Sequence, residues 1–300
     1  MHVLISNDDG PPDIASPYIS QFIETLKSET DWDISVALPN TQKSWISKAF
    51  LLGDLIKLSW YNPQSQSFSN SSKSSDDWAL LDGTPASCVN IGLHHLFNSK
   101  PPIDLVLVGP NYGRNTTAVF AMGSGTIGGT MEAALQGRKG IALSFAFDRK
   151  NPVTPEGLQL ACIKTVEIIK YLHETWADQV GLYAVNVPLG GDITKAKVFY
   201  THILQNIWGS CFSPVEEGAQ ETGPNQNEIQ VRKQESQEFG LENEATLFKF
   251  TPKFITVYES VDRANDRMSD GWIIKEGHIS ITPLKATFQH VKGLEGEIHL

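Results

Sequence analysis

The sequence contains few cysteines and no long apolar run. Only three of its 300 residues are cysteine, Cys88, Cys162 and Cys211, and their spacing fits no zinc-binding motif. We therefore expect free thiols in a reducing compartment. No apolar stretch approaches membrane-spanning length, and the first residues lack the basic segment of a signal peptide. These absences predict a cytoplasmic protein without a membrane partner.

Positive charge is also scarce. The 24 lysines and arginines are outnumbered by 34 acidic residues, which gives a formal net charge of −10. Because such a surface repels polyanions, a nucleic-acid polymer is not expected as the main partner. More than half of this negative excess falls in residues 213–245, which we interpret as an acidic loop. Residues 62–77 are predicted to be a Ser-rich, flexible insertion, and the length allows one domain over residues 1–300.

Short apolar strands alternate with helical patterns along the chain. Residues 3–5 and 33–38 have the composition of buried strands, and the helix between them is predicted to begin with Ser16 as N-cap and Pro17 at the first helical position. A β-α-β start favours a parallel sheet with helical crossovers. Further strands are predicted at residues 103–108, 141–145 and 182–186, helices at 86–97, 127–136 and 155–175, and an exposed strand at 277–284.

Polar loops follow several of these strands at one edge of the predicted sheet. In open α/β sheets, ligands bind beyond the carboxyl ends of the strands. The loops at 7–10, 40–47 and 109–115 bring an all-oxygen set to that edge, which suits Mg²⁺ or Mn²⁺ better than zinc. Its members are Asp8, Asp9, Ser44 and Asn111. The alternative that stays open is that Asp8 caps the next helix and that Asp9 is solvated.

Residues 124–126 open a predicted helix and are candidates for binding an anion. Free N–H groups and the positive dipole end of a helix attract phosphate, and Ser124 and Thr126 add hydroxyl donors. The alternative is an ordinary N-cap with nothing bound. Residues 123–128 also match G-x-G-x-x-G, with Asp148 downstream as a ribose ligand. Because no strand runs directly into the first glycine, an oxidoreductase that binds a dinucleotide is disfavoured.

Taken together, the motifs resemble the SurE family of metal-dependent nucleotidases and acid phosphatases. They follow the family order from the Asn-Asp-Asp-Gly turn at 7–10 onward. The motifs that follow this turn are Pro39 with Ser44, and residues 82–85, 104–106, 109–115, 124–126, 186–188 and 277–284. Lys43-Ser44-Trp45 and residues 109–111 are most similar to the fungal branch. That branch includes acid phosphatases and the SurE-like half of a fusion to a tubulin-tyrosine-ligase-like domain.

The resemblance implies a Rossmann-like three-layer α/β sandwich with a mainly parallel sheet and a C-terminal β-rich oligomerisation extension. It implies one divalent metal ion per subunit, Mg²⁺ or Mn²⁺, held by Asp8, Asp9, Ser44 and Asn111. Asp8 and Asp9 would also be catalytic, and phosphate contacts would come from Asn115, Ser124, Gly125 and Thr126.

The implied activity is a phosphomonoesterase that hydrolyses nucleoside monophosphates or other small phosphate esters by a metal-activated water. Family members form homodimers or homotetramers. Bacterial members carry acidic residues where this chain has Thr116-Thr117-Ala118. The alternative function is a catalytically silent binding or scaffold module with the same fold.

Overall fold

The computed structural model describes residues 1–72, 74–148, 151–215, 247–289, 292–293 and 296–297. Residues 216–245 of the predicted acidic loop therefore lie outside the described residues. The chain divides into two compact units, one of Met1–Asn206 with Ala264–Leu300 and one of Ile207–Arg263. The prediction of a single domain over residues 1–300 stays a prediction.

A ten-stranded, mostly parallel sheet forms the centre of the larger unit. Its strands are β1 (His2–Ser6), β2 (Asp33–Pro39), β3 (Leu58–Asn62), β4 (Ser67–Ser69), β5 (Trp78–Leu81), β6 (Leu105–Tyr112), β7 (Lys139–Ala146), β8 (Leu182–Pro188), β9 (Val198–Tyr200) and β12 (Ile279–Leu284). Their order across the sheet is β4-β3-β5-β2-β1-β6-β7-β8-β12-β9. The smaller unit contains the antiparallel pair β10 (Phe212–Pro214) and β11 (Phe248–Phe250).

Helices cover both faces of this sheet. They are α1 (Ile19–Glu29), α2 (Pro85–Ile91, followed by a π-helical turn at Gly92–Leu96), α3 (Thr117–Gly123), α4 (Gly125–Leu135), α5 (Pro155–Glu174) and α7 (Asp270–Lys275). The remaining α-helix of the described residues, α6 (Phe254–Ala264), belongs to the smaller unit up to Arg263. Val3 and Ile5 of β1 pack with α1 and α5, whereas Leu4 packs with α2 and α4 on the other face, because side chains alternate along a strand. The predicted α/β Rossmann-like sandwich with extra C-terminal strands is confirmed. None of the described helices combines the length and apolar character needed to cross a membrane.

The helix start predicted at Ser16-Pro17 is wrong. Helix α1 begins at Ile19, and its N-cap is Tyr18. Ser16 is buried, and its hydroxyl accepts a hydrogen bond from Asn7. A long-range contact therefore uses the side chain that local sequence assigns to capping.

Other differences concern strands. Residues 109–112 were expected in a loop, but β6 continues through them with a register shift between Val108 and Asn111. Residues 279–282 are buried, not exposed, because β12 lies inside the sheet between β8 and β9, and Ile279 and Ile281 pack in the hydrophobic core. Within the Ser-rich insertion, β4 pairs with β3, where Phe68 packs against Tyr61. Helix α3 was not predicted.

The chain reverses its direction of travel across the sheet at β1. From β1 it proceeds to β2 and β5 on one side, and it then returns to β6, β7 and β8 on the other. Both β2 and β6 pair with β1 in parallel. Such a reversal opens a crevice at the carboxyl ends of the two central strands, where α/β proteins bind ligands. The residues that follow β1 and those that end β6 meet at this crevice.

Candidate metal and phosphate site

A tight turn after β1 carries the two candidate metal carboxylates. Asn7 Nδ2 donates to the carbonyl of Gly10 at 2.8 Å and to Ser16 Oγ at 3.1 Å, and Gly10 N donates back to Asn7 Oδ1 at 3.0 Å. This closed turn fixes the two residues between them, Asp8 and Asp9. Both are almost fully buried, with 3% and 2% of their surface exposed.

The carboxylate of Asp8 lies at the N-terminal end of α4. Thr126 Oγ1 donates to Asp8 Oδ1 at 2.6 Å. A Cβ at position 125 would lie 2.8 Å from Asp8 Cβ, so glycine is required for this close approach. Burial raises the pKa of Asp8 to about 6, although hydrogen bonds from the Thr126 side chain and from the backbone of Thr126 and Gly125 oppose the shift. The N-terminal end of α4 therefore already binds a carboxylate of the protein, that of Asp8.

Asp9 is buried beside Asp8 and is held by a different strand. Its Oδ2 accepts a hydrogen bond from the backbone N–H of Tyr112 at 2.6 Å. Burial, and then the charge of Asp8, raise the pKa of Asp9 well above its ordinary value. Among the ion pairs of the described residues, neither carboxylate has a basic partner.

Two adjacent buried carboxylates are costly unless positive charge compensates them. A divalent cation fits this pair, because hard cations prefer oxygen ligands. No cluster of three or more His, Cys, Asp or Glu side chains suited to a metal occurs in the described parts of the chain. Neutral oxygen donors would therefore have to complete the coordination shell.

Asn111 and Ser44 are the two neutral donors predicted from sequence. Asn111 lies in β6 opposite Ser144 of β7, and its Nδ2 donates to the carbonyl of Gly113 at 2.9 Å. This bond uses the amide nitrogen and leaves Oδ1 for a cation. Ser44 is exposed and follows Lys43, whose N–H donates to the carbonyl of Asp8 at 2.7 Å. Both donors thus belong to segments anchored close to the carboxylate pair.

The loop that carries Ser44 is anchored at two further points, one at the end of α3 and one in α4. Ser47 N donates to the carbonyl of Gly123 at 3.1 Å. Lys48 Nζ forms a 2.8 Å ion pair with Glu132, which is almost completely buried in α4. Burial alone would raise the pKa of Glu132, but hydrogen bonds from Lys48, Asn90 and Gln136 lower it overall.

The predicted phosphate-binding residues divide into two groups. Ser124 is the N-cap of α4, and its Oγ accepts from Ile127 N at 3.0 Å, which leaves its hydroxyl hydrogen for a ligand. Asn115 is held by β7 and β8: its N–H donates to Asn186 Oδ1 at 2.8 Å, and its Nδ2 donates to Ser144 Oγ at 2.9 Å. Gly125 and Thr126, in contrast, direct their donors at Asp8.

The glycines of the dinucleotide-like motif serve the packing of the neighbouring loop. Gly123 ends α3, and β6 has already ended at Tyr112, so no strand leads into the motif. A Cβ at Gly128 would collide with the carbonyl oxygen of Ser47. The glycines make room for the loop that carries Ser44, which accounts for the pattern without a dinucleotide.

Sequence reasoning missed a strained residue next to the site. Thr117 begins α3 with a φ of +65°, a conformation that costs a β-branched residue about 1–3 kcal/mol. Its backbone N–H donates to Asp270 Oδ2 at 2.8 Å, across 153 residues of sequence. Burial raises the pKa of Asp270 to about 6, although hydrogen bonds from the backbone of Leu204, Thr117 and Gly271 oppose the shift. Only the acidic character of Asp270 is visible in the sequence; its partner is not.

Comparison with known proteins identifies similar chains. The family model described as "Survival protein SurE" matches residues 3–210. A Saccharomyces cerevisiae protein named "Probable tubulin--tyrosine ligase" is 38% identical over 335 residues, which cover 100% of this chain and 43% of that protein. A protein of Ruegeria pomeroyi named "5'-nucleotidase SurE" is 43% identical over 111 residues, or 36% of this chain and 42% of that protein. The matched parts thus span less than half the length of these two relatives.

A solved structure shows the same fold. The SurE protein from Aquifex aeolicus aligns with a TM-score of 0.66 at 22% sequence identity, covering 98% of this chain and 97% of that one. At this level of identity, the likeness concerns the fold alone.

Proposed function

The chain belongs to the SurE family, and from that premise we propose that it is a divalent-metal-dependent phosphomonoesterase. The proposed substrates are nucleoside monophosphates or other small phosphate esters. A catalytically silent scaffold is the competing proposal. The observation that favours an enzyme is the buried pair Asp8 and Asp9 at the crevice between β1 and β6, because a scaffold gains nothing from two uncompensated carboxylates.

The proposed metal ligands are Asp8, Asp9, Ser44 and Asn111. If these residues held one Mg²⁺ or Mn²⁺ ion, it would supply Lewis-acid charge neutralisation and an activated water. The chain's own contribution is to hold the ligands in place. Tyr112 N–H and Thr126 Oγ1 each fix one carboxylate oxygen, so that the other oxygen is oriented before a cation binds.

Direct contacts to the phosphate are assigned to Ser124 and Asn115. The hydroxyl of Ser124 and the second hydrogen of Asn115 Nδ2 are hydrogen-bond donors that can stabilise the negative charge that develops in the transition state. Gly125 and Thr126 act on the phosphate indirectly in this proposal, since their donors hold Asp8. We therefore propose that Thr126 supports the metal ligand Asp8 and does not contact the phosphate.

The names of the relatives set limits on this proposal. The yeast protein is named as a ligase, but the chain covers 43% of it, so ligase activity is not proposed here. The nucleotidase names of bacterial relatives support a phosphomonoesterase, and the similarity to the yeast protein supports the proposal that the chain belongs to the fungal branch of the family. We also propose a cytoplasmic homodimer or homotetramer; light scattering that gives only the monomer mass at micromolar concentration would contradict the oligomer.

The test of the proposed function is the Asp9→Asn variant. Hydrolysis of p-nitrophenyl phosphate and of a nucleoside monophosphate should fall by about 10³-fold or more, since metal-ion assistance is worth several kcal/mol. Asp13→Asn is the matched control, because Asp13 is an exposed carboxylate in the same loop, and it should keep turnover within about twofold. Wild-type protein without activity on either substrate, at any metal concentration, would favour the scaffold.

A further inference from the structure

Asp270 is a buried carboxylate that the proposed chemistry does not use. It lies at the start of α7 with 1% of its surface exposed. Its Oδ1 accepts from Leu204 N at 3.1 Å and from Gly271 N at 2.7 Å, and its Oδ2 accepts from Thr117 N at 2.8 Å. A carboxylate that accepts several backbone N–H bonds is held rigidly, because each bond is charge-assisted.

Thr117, which Asp270 holds, carries two unfavourable features at once. Its φ of +65° is in the left-handed region, and its hydroxyl oxygen is buried without a hydrogen-bond partner among the described residues. Residues of this kind persist only where the surroundings over-determine them, and they concentrate at functional sites. The bond to Asp270 is one of the contacts that impose the conformation.

Residues 204–206, where Leu204 N donates to Asp270, also satisfy the next two N–H groups of α3. Ala118 N donates to the carbonyl of Leu204 at 2.9 Å, and Val119 N donates to Asn206 Oδ1 at 3.1 Å. The N-cap residue Thr116 makes no side-chain capping bond. The start of α3 is therefore capped by a distant segment and not by its own sequence.

Helix α3 joins the two residues that we assign to direct phosphate contact. Asn115 lies two residues before Thr117, and Ser124 directly follows Gly123, the last residue of α3. A change of backbone conformation at Thr117 would therefore alter the path that the chain takes between them. Displacing a reacting or stabilising group by about 1 Å can cost 10²-fold in rate.

We propose that Asp270 is a positioning residue of the phosphate site, which acts by holding Thr117 in its left-handed conformation and thereby places Asn115 and Ser124. The inference rests on the proposed phosphomonoesterase function. It assigns a role in the reaction to a residue of the C-terminal segment that does not touch the substrate.

The experiment compares Asp270→Asn with Asp266→Asn. An asparagine at 270 offers one acceptor oxygen, so at least one backbone N–H loses its partner: that of Thr117 if the oxygen replaces Oδ1, or those of Leu204 and Gly271 if it replaces Oδ2. We expect kcat to fall about 10- to 100-fold while KM changes less than about threefold. The metal concentration for half-maximal activity should stay within about twofold, because Asn111 is held by β7 and not by Asp270. Asp266 is the matched control: among the described residues its carboxylate bonds to His202 and to Met268 N and not to α3, and the variant should keep kcat within about twofold.

The Thr117→Gly variant separates this role from a general loss of stability. Glycine adopts a positive φ without strain, so position 117 would no longer depend on the bond to Asp270. We expect the loss caused by Asp270→Asn to shrink to less than about threefold in the Thr117→Gly background. Melting curves would confirm that each variant is folded at the assay temperature. If Asp270→Asn does not fold, Asp270→Glu takes its place, with an expected fall in kcat of about tenfold, because the longer side chain displaces the carboxylate.

Several results would overturn the inference. One is a folded Asp270→Asn variant, or Asp270→Glu in its place, with kcat within about twofold of wild type; another is a loss of the same size in the Thr117→Gly background. Either result leaves the proposed function intact, because the wild-type protein remains active. A wild-type protein with no metal-dependent hydrolysis would overturn both.

Discussion

Thr126→Val tests whether this residue supports the metal site or contacts the phosphate. Thr126 is fully buried, and its hydroxyl donates to Asp8 at 2.6 Å. Valine has nearly the same shape, so the variant removes this hydrogen bond without leaving a cavity. A hydrogen bond to a charged group contributes about 1.5–3 kcal/mol. If the loss appears in metal binding, the conversion of 1.4 kcal/mol per tenfold predicts an affinity about 10- to 100-fold weaker, which matches the usual effect of removing a residue that orients a metal ligand.

The assay is p-nitrophenyl phosphate hydrolysis as a function of Mn²⁺ concentration, with calorimetric titration of Mn²⁺ into metal-free protein. We expect Thr126→Val to raise the half-saturating metal concentration about 10- to 100-fold and to recover most of its turnover at high metal. Thr126→Ser keeps the hydroxyl and is the matched control, with a midpoint within about threefold of wild type. The reasoning is refuted if Thr126→Val leaves the metal midpoint unchanged and instead raises KM for the phosphate ester, since the hydroxyl would then contact the substrate.

Further predictions address the phosphate contact, the anchored loop and the thiols. Ser124→Ala should lower kcat about 10- to 1,000-fold, and a larger loss than that of Asp9→Asn, measured side by side, would point to a serine-centred mechanism. Lys48→Met leaves Glu132 buried without its ion pair and should cost about 3 kcal/mol of unfolding free energy in urea denaturation. The pKa of Glu132 in the folded protein is lowered from 4.5. The stability that this group contributes to the wild type is therefore complete above pH 4.5 and is lost as the pH falls through the folded pKa. The variant should not show this loss, and the same pH dependence of the unfolding free energy in both proteins would count against the ion pair. Burial raises the pKa of both the Cys88 and the Cys162 thiols, so a thiol reagent should modify only the half-buried Cys211 in the native protein; rapid modification of all three thiols would contradict the packing.

The centre of the fold could be predicted because its signals are local. The apolar run of β1 ends in Asn7-Asp8-Asp9-Gly10, and the same four residues close the turn by their own hydrogen bonds. Burial on both faces is what a central parallel strand requires, and the β-α-β start identifies the carboxyl edge. The positions of Asp8 and Asp9 therefore followed from sequence, whereas a cation between them is still a proposal.

The features that could not be predicted depend on contacts between residues that lie far apart in the sequence. Ser16 has the composition of an N-cap, yet Asn7 uses it. The role of Thr126 depends on Asp8, from which it is separated by 118 positions. The left-handed conformation of Thr117 has no signature in a Thr-Thr-Ala sequence, since threonine ordinarily avoids it. In each case tertiary partners decide the outcome, and at Thr117 they act against the local preference.

The most direct test of the central claim is removal and replacement of the metal. Purified protein would be treated with EDTA, dialysed, verified to be metal-free by elemental analysis, and assayed with p-nitrophenyl phosphate before and after Mg²⁺ or Mn²⁺ is added. The account predicts that activity is lost with the metal and returns on its addition, and that Asp9→Asn does not recover at the same metal concentration. Full phosphatase activity in verified metal-free protein would contradict it.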